Sequence, residues 1–208
     1  MPTVDSAIVT PMHDVKTSVF VGVSLDGFIA RPNGEFDFLP ADGGEPHGYE
    51  DFIATVDVIV IGRKTFETVL SLPEWPYGPK RVVVLSNRTL DLSSVQGRPV
   101  EQMAGPPAGI VAKLAAQGVR HLYIDGGVTI QRFLQAELIQ WITITRVPVL
   151  IGSGIPLFGP LQQDIRLEHI ATQTYASGLV KSEYQVLYPA DEELSSDERS
   201  TESRSRAL

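Results

Sequence analysis

The sequence has no cysteine, few histidines and no long apolar run. The lack of cysteine excludes disulfides, thiolate catalysis and every zinc site that needs a cysteine ligand. None of the four histidines shows the paired spacing of metal ligands: His13, His47, His121 and His169. No stretch reaches the roughly 18 apolar residues that a membrane-spanning helix needs. We therefore expect a soluble protein without a metal site.

Positive charge is also scarce. The chain has 17 lysines and arginines against 25 acids, which gives a formal net charge of −8. Because nucleic-acid binding needs clustered cations, we expect no nucleic-acid partner, and any bound phosphate must be held locally. The first residues lack the basic and apolar regions of a secretory signal, which predicts a cytoplasmic location.

The two ends of the chain differ in composition from its middle. Residues 190–208 carry six acids, three arginines and five serines. Such a segment buries too little apolar surface to offset the entropy of ordering, so we expect a disordered tail. Residues 1–16 resemble a loose leader. One compact domain, residues 17–189, is expected between them.

Short apolar strands alternate with helices through this domain. The pattern predicts strands at 18–24, 58–61, 81–85, 121–124 and 139–146, and helices at 49–56, 63–70, 108–117 and 128–135. Continuously apolar strands separated by helices are typical of a parallel sheet covered on both faces. Alternating segments at 166–174 and 179–187 predict an antiparallel hairpin at one edge. The fold class is therefore α/β.

Two cations follow the second predicted strand, at the first turn of a helix. Gly62, Arg63, Lys64 and Thr65 occupy this turn, where free N–H groups and the helix dipole attract anions. Cations are mildly unfavourable there, so a bound phosphate would explain them. A solvated surface pair is the alternative.

Two more strand ends carry residues suited to a ligand. Asp125-Gly126-Gly127 would let the backbone approach a ligand closely, although an ordinary tight turn has the same composition. Ser86-Asn87-Arg88 offers hydroxyl, amide and guanidinium donors to a phosphate, and a solvated loop is equally consistent with it. In a parallel sheet these ends would face the same crevice.

Acids surround the loop after the first strand, namely Asp26, Glu35, Asp37 and Asp42. A carboxyl in an apolar pocket would have a raised pKa and could anchor or protonate a heterocycle. Most surface acids have no such role.

Another glycine pair, in Gly152-Ser153-Gly154, begins like a dinucleotide fingerprint. Leu157 stands where the third glycine is required, so we reject that interpretation. We expect a tight turn and then a short helix that begins at Pro156.

In order and spacing, five segments resemble the reductase domain of bacterial riboflavin-biosynthesis deaminase-reductases, within the dihydrofolate-reductase superfamily. They are SVFVGVSLDGFIARPNGEFDFL, VIVIGRKTFETV, RVVVLSNR, LYIDGGVTIQRFL and ITITRVPVLIGSGIPLFG. The resemblance runs from about Ser18 to Leu187. It implies a dihydrofolate-reductase-like three-layer fold, with a mixed, mainly parallel sheet and NADPH across the strand ends.

Residue by residue, the resemblance implies a cofactor site. Ser24 and Ala30 would line the nicotinamide. The phosphate-binding positions would be Gly62, Arg63, Lys64, Thr65, Ser86, Asn87, Arg88, Gly126, Gly127, Val128, Thr129 and Ile130. A cis peptide is implied between Gly126 and Gly127. Asp37 falls near the acid on the substrate side and is our candidate proton donor.

The function implied is an NADPH-dependent reductase that transfers hydride to a pteridine-like or pyrimidine-like heterocycle. The chain departs from the riboflavin enzymes at Phe20, where they usually carry a lysine, which argues against a ribose-phosphate substrate. It also lacks the cysteines of their zinc deaminase half. A non-catalytic nucleotide-binding module of the same fold is the alternative. Because relatives of this type commonly pair, we expect a homodimer.

Overall fold

The structure is a computed structural model that describes residues 15–40 and 47–188. Residues 1–14 of the expected leader, the acid Asp42 and the expected tail lie outside the described residues. The predictions made for them stay predictions.

Eight strands form the main sheet: β1 (Lys16–Ser24), β3 (Val58–Gly62), β4 (Arg81–Leu85), β5 (Val100–Met103), β6 (His121–Asp125), β7 (Trp141–Val147), β9 (Arg166–Thr174) and β10 (Val180–Leu187). Their order across the sheet is β5-β4-β3-β6-β1-β7-β10-β9. The strands from β5 to β7 in that order pair in parallel. The hairpin of β9 and β10 adds the antiparallel edge.

Among the described residues, four α-helices cover the two faces of the sheet: α1 (Tyr49–Thr55), α2 (Arg63–Leu70), α3 (Pro107–Ala116) and α4 (Gly127–Gln135). On one face, Leu114 of α3 and Phe133 of α4 pack on Ile124 of the sheet. On the other face, Phe66 of α2 packs with Ile59, and side chains of α1 lie against the same cluster. The expected three-layer α/β fold is confirmed.

Helix α2 and strands β4 and β9 match their predicted ranges at both ends, and the other predicted elements differ by one or two residues at an end. The prediction missed β5, because its residues Val-Glu-Gln-Met lack the apolar run that marks the central strands. It also missed two short strands, β2 (Phe28–Ala30) and β8 (Ile155–Pro156), which pair with each other outside the main sheet.

The helix expected to begin at Pro156 is not formed. Pro156 pairs with Phe28, and Ile155 pairs with Ala30, so the segment is the extended strand β8. In a two-stranded sheet each strand has one unpaired edge, where a proline, which has no N–H, loses no hydrogen bond between strands. Tertiary pairing therefore overrides the local preference for a helix start.

The cis peptide expected at Gly126-Gly127 is also wrong, because no peptide bond among the described residues is cis. The turn is made by Gly126 itself, which adopts φ 88° and ψ 129°. Helix α4 begins at the next residue, and Ile130 donates its N–H to the Gly126 carbonyl at 2.9 Å. Glycine permits this positive φ at little cost.

No helix among the described residues is long and apolar enough to cross a bilayer.

Candidate active site

A cleft of about 1180 Å³ opens at the edge of the sheet where β3, β4 and β6 end. Because these strands are parallel, their carboxyl ends meet at the same edge. Gly62 pairs with Leu85, and Ile61 pairs with Asp125. Gly62, Leu85 and Asp125 all line the cleft. The strand ends singled out in the sequence are therefore neighbours.

The starts of α2 and α4 interlock through two glycines and two threonines. A β-carbon on Gly62 would lie 2.8 Å from the Thr129 hydroxyl oxygen. A β-carbon on Gly126 would overlap the Thr65 hydroxyl oxygen. Each helix start thus leaves room for the threonine of the other. The two N-terminal turns are held together on one side of the cleft.

Neither of these helix starts is capped. The N-cap residues are Gly62 and Gly126, no side chain caps either helix, and neither first turn contains an acid. Uncapped N–H groups and two dipole ends in one place favour a bound anion. We call residues 62–65 and 126–129, all of which line the cleft, its anion end.

Two basic side chains lie at the anion end. Arg63 forms an ion pair with Glu67 one turn later, with 2.5 Å between Nη1 and Oε1. Lys64 is exposed. The Arg63 and Glu67 side chains are 36% and 54% exposed, so the pair is weak and an incoming phosphate can compete for the guanidinium.

The Ser86-Asn87-Arg88 turn follows Leu85 but does not line the cleft. The Ser86 hydroxyl accepts the Arg88 N–H at 3.1 Å and donates to the Arg88 carbonyl at 2.7 Å. Gln102 of β5 donates to the carbonyls of Ser86 and Arg88. The exposed Asn87 and Arg88 side chains therefore stand on a braced turn beside the mouth of the cleft.

Of three further residues predicted for the cofactor site, one lines the cleft and two do not. Ala30 lines the cleft. Ser24 is fully buried and accepts the Phe28 N–H at 3.0 Å, so its hydroxyl shapes the turn into β2. Ile130 is fully buried in the core between α4 and the sheet. The side chains of Ser24 and Ile130 do not line the cleft.

Aromatic side chains line the other part of the cleft, which we call its aromatic end: Phe20, Tyr49, Tyr77 and Tyr123. Phe20 stands on β1 and Tyr123 on β6, and both belong to the apolar cluster beneath α1 and α2. The Tyr123 hydroxyl donates to the Phe20 carbonyl at 2.8 Å. Burial raises the pKa of Tyr49 to about 12, so this phenol is neutral at physiological pH.

Asp125 is the carboxyl that faces this aromatic end. One of its oxygens accepts the Tyr77 hydroxyl at 3.1 Å and the other accepts the Gly126 N–H at 2.7 Å. Burial raises the pKa of Asp125, and these two donors only partly offset that effect. Asp125 therefore has the raised pKa that the sequence analysis considered for the acids around the loop after the first strand.

Asp37 is not in an apolar pocket. Its side chain is 59% exposed and forms an ion pair with Arg31, with 2.5 Å between Oδ1 and Nε. The hydrogen bond from Arg31 lowers the pKa of Asp37, whereas a proton donor at neutral pH needs a raised one. Asp37 therefore lacks the raised pKa considered for the acids of this loop.

The glycine pair at 152 and 154 has a structural role. Asp26 accepts the N–H groups of Gly152 at 2.7 Å and Ile151 at 3.3 Å, so these amides bind a carboxylate of the same chain. At Gly154 a β-carbon would overlap the Ala30 carbonyl, because β8 lies directly on β2. Among the described residues, no group of three or more histidines and acids is placed to hold a metal ion.

Residues 16–181 match the family model of the RibD C-terminal domain. The chain belongs to the RibD C-terminal domain family. The resemblance seen in the order of the sequence segments is confirmed.

Individual relatives agree with this family. The Bacillus subtilis (strain 168) protein YwjB is 34% identical over 167 residues, which are 79% of this chain and 94% of YwjB. A structure described as a putative riboflavin biosynthesis protein from Shewanella sp. PV-4 is 37% identical, with a TM-score of 0.77 over 84% of this chain and 100% of that one. Dihydrofolate reductase from Enterococcus faecalis, solved with NADP(H), shares the fold at 17% identity, with a TM-score of 0.55 over 82% and 94% of the two chains. Family and fold support a reductase-type function.

The sequence patterns do not identify Asp125 as an acid with a raised pKa or Tyr77 as its hydrogen-bond donor. The alternation of β6 contained a usable signal, since His121, Tyr123 and Asp125 occupy every second position and therefore share one face. Tyr77 lies in the loop after α2, and no local pattern connects it to Asp125, which is 48 residues away.

The interlock at the anion end predicts a large effect of a small substitution. Gly126→Ala should lower the free energy of unfolding by about 1–3 kcal/mol more than Gly97→Ala, because the added methyl group must displace Thr65. Gly97 has a similar positive φ of 85° but nothing within 4 Å of a β-carbon, so it controls for the cost of a positive φ. Urea unfolding of both variants measures the difference. Equal losses would contradict the interlock.

The raised pKa of Asp125 predicts a pH-dependent contribution to stability. The folded chain holds this proton more tightly than the unfolded chain, so the contribution is complete below the ordinary value of 3.8 and is lost as pH rises through the folded pKa. The unfolding free energy of wild type relative to Asp125→Asn should therefore fall with rising pH. Asp26→Asn is the matched control, because the lowered pKa of Asp26 gives the opposite slope. If urea titrations show a pH-independent difference between wild type and Asp125→Asn, the assignment is refuted.

Proposed function

We propose that this protein is an NADPH-dependent reductase that transfers hydride to a pteridine-like or pyrimidine-like heterocycle. The observation that carries the proposal is the division of one cleft into an anion end with two uncapped helix starts and an aromatic end with a half-buried carboxyl. The phosphates of a dinucleotide need the anion end, and a flat ring that is to be reduced needs the aromatic end.

The anion end fits the pyrophosphate of NADPH. The glycines at 62 and 126 keep side chains out of the space between the two helix starts, and Thr65 and Thr129 bring hydroxyls into it. At Gly127 a β-carbon would lie 3.0 Å from Ile29 and 3.1 Å from the Pro156 carbonyl, so β2 and β8 close over this glycine. NADPH bound here would supply the hydride, and these residues would fix its position.

Preference for the phosphorylated cofactor is assigned to the turn beside the cleft. Ser86, Asn87 and Arg88 follow the end of β4, next to Leu85 of the cleft wall. Arg88 is exposed, and its guanidinium can take the extra phosphate of NADPH in a bidentate manner. Gln102 braces the turn, which reduces the flexibility that would weaken this contact.

On the substrate side, Asp125 fits the role of anchor or proton donor better than Asp37. It lies between the two ends of the cleft, and its burial favours the protonated form more than an exposed position would. The hydroxyl of Tyr77 and the amide of Gly126 fix the orientation of the carboxyl. Tyr77 would therefore act as a positioning residue.

A nucleotide-binding module without turnover is the second candidate. The placement of Asp37 favours it, because the acid expected to donate a proton is exposed and paired with Arg31. The raised pKa of Asp125, which lines the cleft, argues against a module without turnover.

Two other expectations stay proposals. A cytoplasmic location suits a reductase of this family. A homodimer is supported by strand β9, an edge strand whose residues are all exposed, with Leu167 and Ile170 at 41% and 46%.

The proposed function predicts both binding and turnover. NADPH at a hundred times its dissociation constant should stabilise the purified chain by about 2.7 kcal/mol, measured by thermal unfolding. NADPH oxidation, followed by absorbance, should accelerate with dihydrofolate or with an aminouracil ribose phosphate. Stabilisation with no turnover of either compound would favour the binding module, and no stabilisation would refute both candidates.

Arg63 and Glu67 should affect NADPH affinity in opposite directions. Arg63→Ala removes a charge-assisted donor and should weaken binding about tenfold or more. Glu67→Gln frees Arg63 from its ion pair and should tighten binding.

The control for this pair is Arg81→Ala. Arg81 forms a comparable ion pair with Glu101, and its side chain is 31% exposed, but it stands at the opposite end of β4 from the cleft. Fluorescence titration with NADPH gives the three affinities. Equal losses for Arg63→Ala and Arg81→Ala would remove Arg63 from the cofactor site.

A further inference from the structure

His121 is a buried histidine at the amino end of the sheet, away from the cleft. It begins β6, whereas the cleft opens where β6 ends. Its side chain contacts Ser18 of β1 on one side and Thr55 of α1 on the other. The ring of Phe52, also in α1, meets the imidazole edge-on, with 5.8 Å between ring centroids. This imidazole therefore joins α1 to two strands of the sheet.

The hydrogen bonds of the imidazole are satisfied in its neutral form. Nδ1 lies 3.1 Å from the Thr55 carbonyl oxygen and 3.1 Å from the Thr55 hydroxyl, which itself donates to the Phe52 carbonyl. A carbonyl only accepts, so we assign the proton to Nδ1. Nε2 then accepts the Ser18 hydroxyl at 2.8 Å. A second proton, on Nε2, would take this acceptor away from a buried hydroxyl.

The surroundings of the ring also oppose a positive charge. The charged groups around it and on the elements packed against it are Lys16 of β1, Asp57 before β3, Lys80 before β4, Arg120 beside it in the chain, and Glu50 and Asp51 in the first turn of α1. Burial lowers the pKa of His121 most, and repulsion by Lys16 and Lys80 lowers it further. The Thr55 carbonyl and Asp57 favour the charged ring and only partly offset these effects.

Helix α1 is attached to the sheet at its C-terminal end. None of its seven residues is fully buried. Just beyond the helix Lys80 donates to the Val56 carbonyl at 2.7 Å, and His121 donates to the Thr55 carbonyl. Because α1 covers the imidazole, water reaches a charged ring there when the helix lifts from the sheet. Hydration of the charge and the packing of α1 therefore oppose each other.

The other end of α1 forms part of the cleft. Tyr49 lines the cleft, and its ring meets Phe20 edge-on, with 5.6 Å between centroids. Phe52 stacks on Phe20, with 4.9 Å between centroids and an interplanar angle of 25°. Both side chains of α1 thus pack against the same ring of the aromatic end. A displacement of α1 changes the shape of that end.

From this arrangement we infer that His121 is a positioning residue for the aromatic end, which acts from the opposite end of the sheet. Its neutral ring holds α1 in place, and proton uptake by the ring frees α1 and opens the aromatic end. The movement of α1 does not depend on any ligand. The consequence for a bound heterocycle rests on the proposed function.

Hydrogen exchange of the wild-type chain measures the movement. The contribution of neutral His121 is complete above the ordinary histidine pKa of 6.5 and is lost as pH falls towards the lowered folded pKa. Amide protection in α1, corrected for the intrinsic exchange rate, should therefore fall at least about fivefold between about pH 7.5 and about pH 5. Protection in α3, on the other face of the sheet, should fall less.

Variants assign this pH dependence to one ring. His121→Asn keeps a donor close to the position of Nδ1 and cannot take up the proton, so protection in α1 should become independent of pH. His169→Asn is the matched control, because His169 stands on the exposed strand β9 and bonds to Thr172. It should keep the wild-type pH dependence. Nitrogen chemical shifts of the wild-type His121 ring need no variant and should show the proton on Nδ1 at neutral pH.

Several results would overturn the inference. A proton on Nε2 at neutral pH contradicts the hydrogen-bond assignment. Equal losses of protection in α1 and α3 mean that the ring stabilises the whole fold and does not position α1. A pH dependence that persists in His121→Asn excludes this ring, and its loss in His47→Asn would assign it to the histidine beside Phe20. Failure of NADPH to bind would refute the proposed function and leave this inference standing.

Discussion

The interlock of two helix starts is the constraint on which the rest of the site depends. Gly62 accommodates Thr129, and Gly126 accommodates Thr65, so α2 and α4 begin close enough for their N-terminal turns to share one space. Both turns are uncapped, so the positive dipole ends and the free N–H groups of both helices lie on the same side of the cleft. Two glycines 64 positions apart thereby create a place for an anion that neither helix would form alone.

The same edge of the sheet also fixes the position of Asp125. This residue ends β6, opposite Ile61 of β3, and immediately precedes the glycine that starts the interlock. Its carboxyl is therefore half-buried next to the start of α4, and desolvation raises its pKa while the Tyr77 hydroxyl and the Gly126 amide limit the rise. Helices α2 and α4 carry the cations that line the cleft, whereas strands β1 and β6 carry Phe20, Tyr123 and Asp125.

Local patterns were sufficient where one segment alone decides the structure. Helix α2 begins and ends as expected because Gly62 closes an apolar strand and amphipathic periodicity begins at the next residue. The C-terminal hairpin was equally visible from its alternation and its turn. Patterns failed where a distant segment competes: Pro156 is well suited to start a helix, yet it pairs with Phe28, 128 residues earlier. Asp37 failed for a similar reason, since only the folded loop shows that Arg31 neutralises it and solvent surrounds it.

By itself, the sequence determined the α/β class, the parallel arrangement and the grouping of glycines and cations at strand ends, because these depend on periodicity and on the chemistry of neighbouring residues. Only the tertiary structure decided which acid has a raised pKa, which residues brace the turn at 86–88 and how the cleft divides into two ends. Burial and hydrogen bonding of a side chain depend on partners from distant segments, such as Tyr77 for Asp125 and Gln102 for Ser86. A pKa follows from those partners, so the residue type and its neighbours in the chain do not fix it.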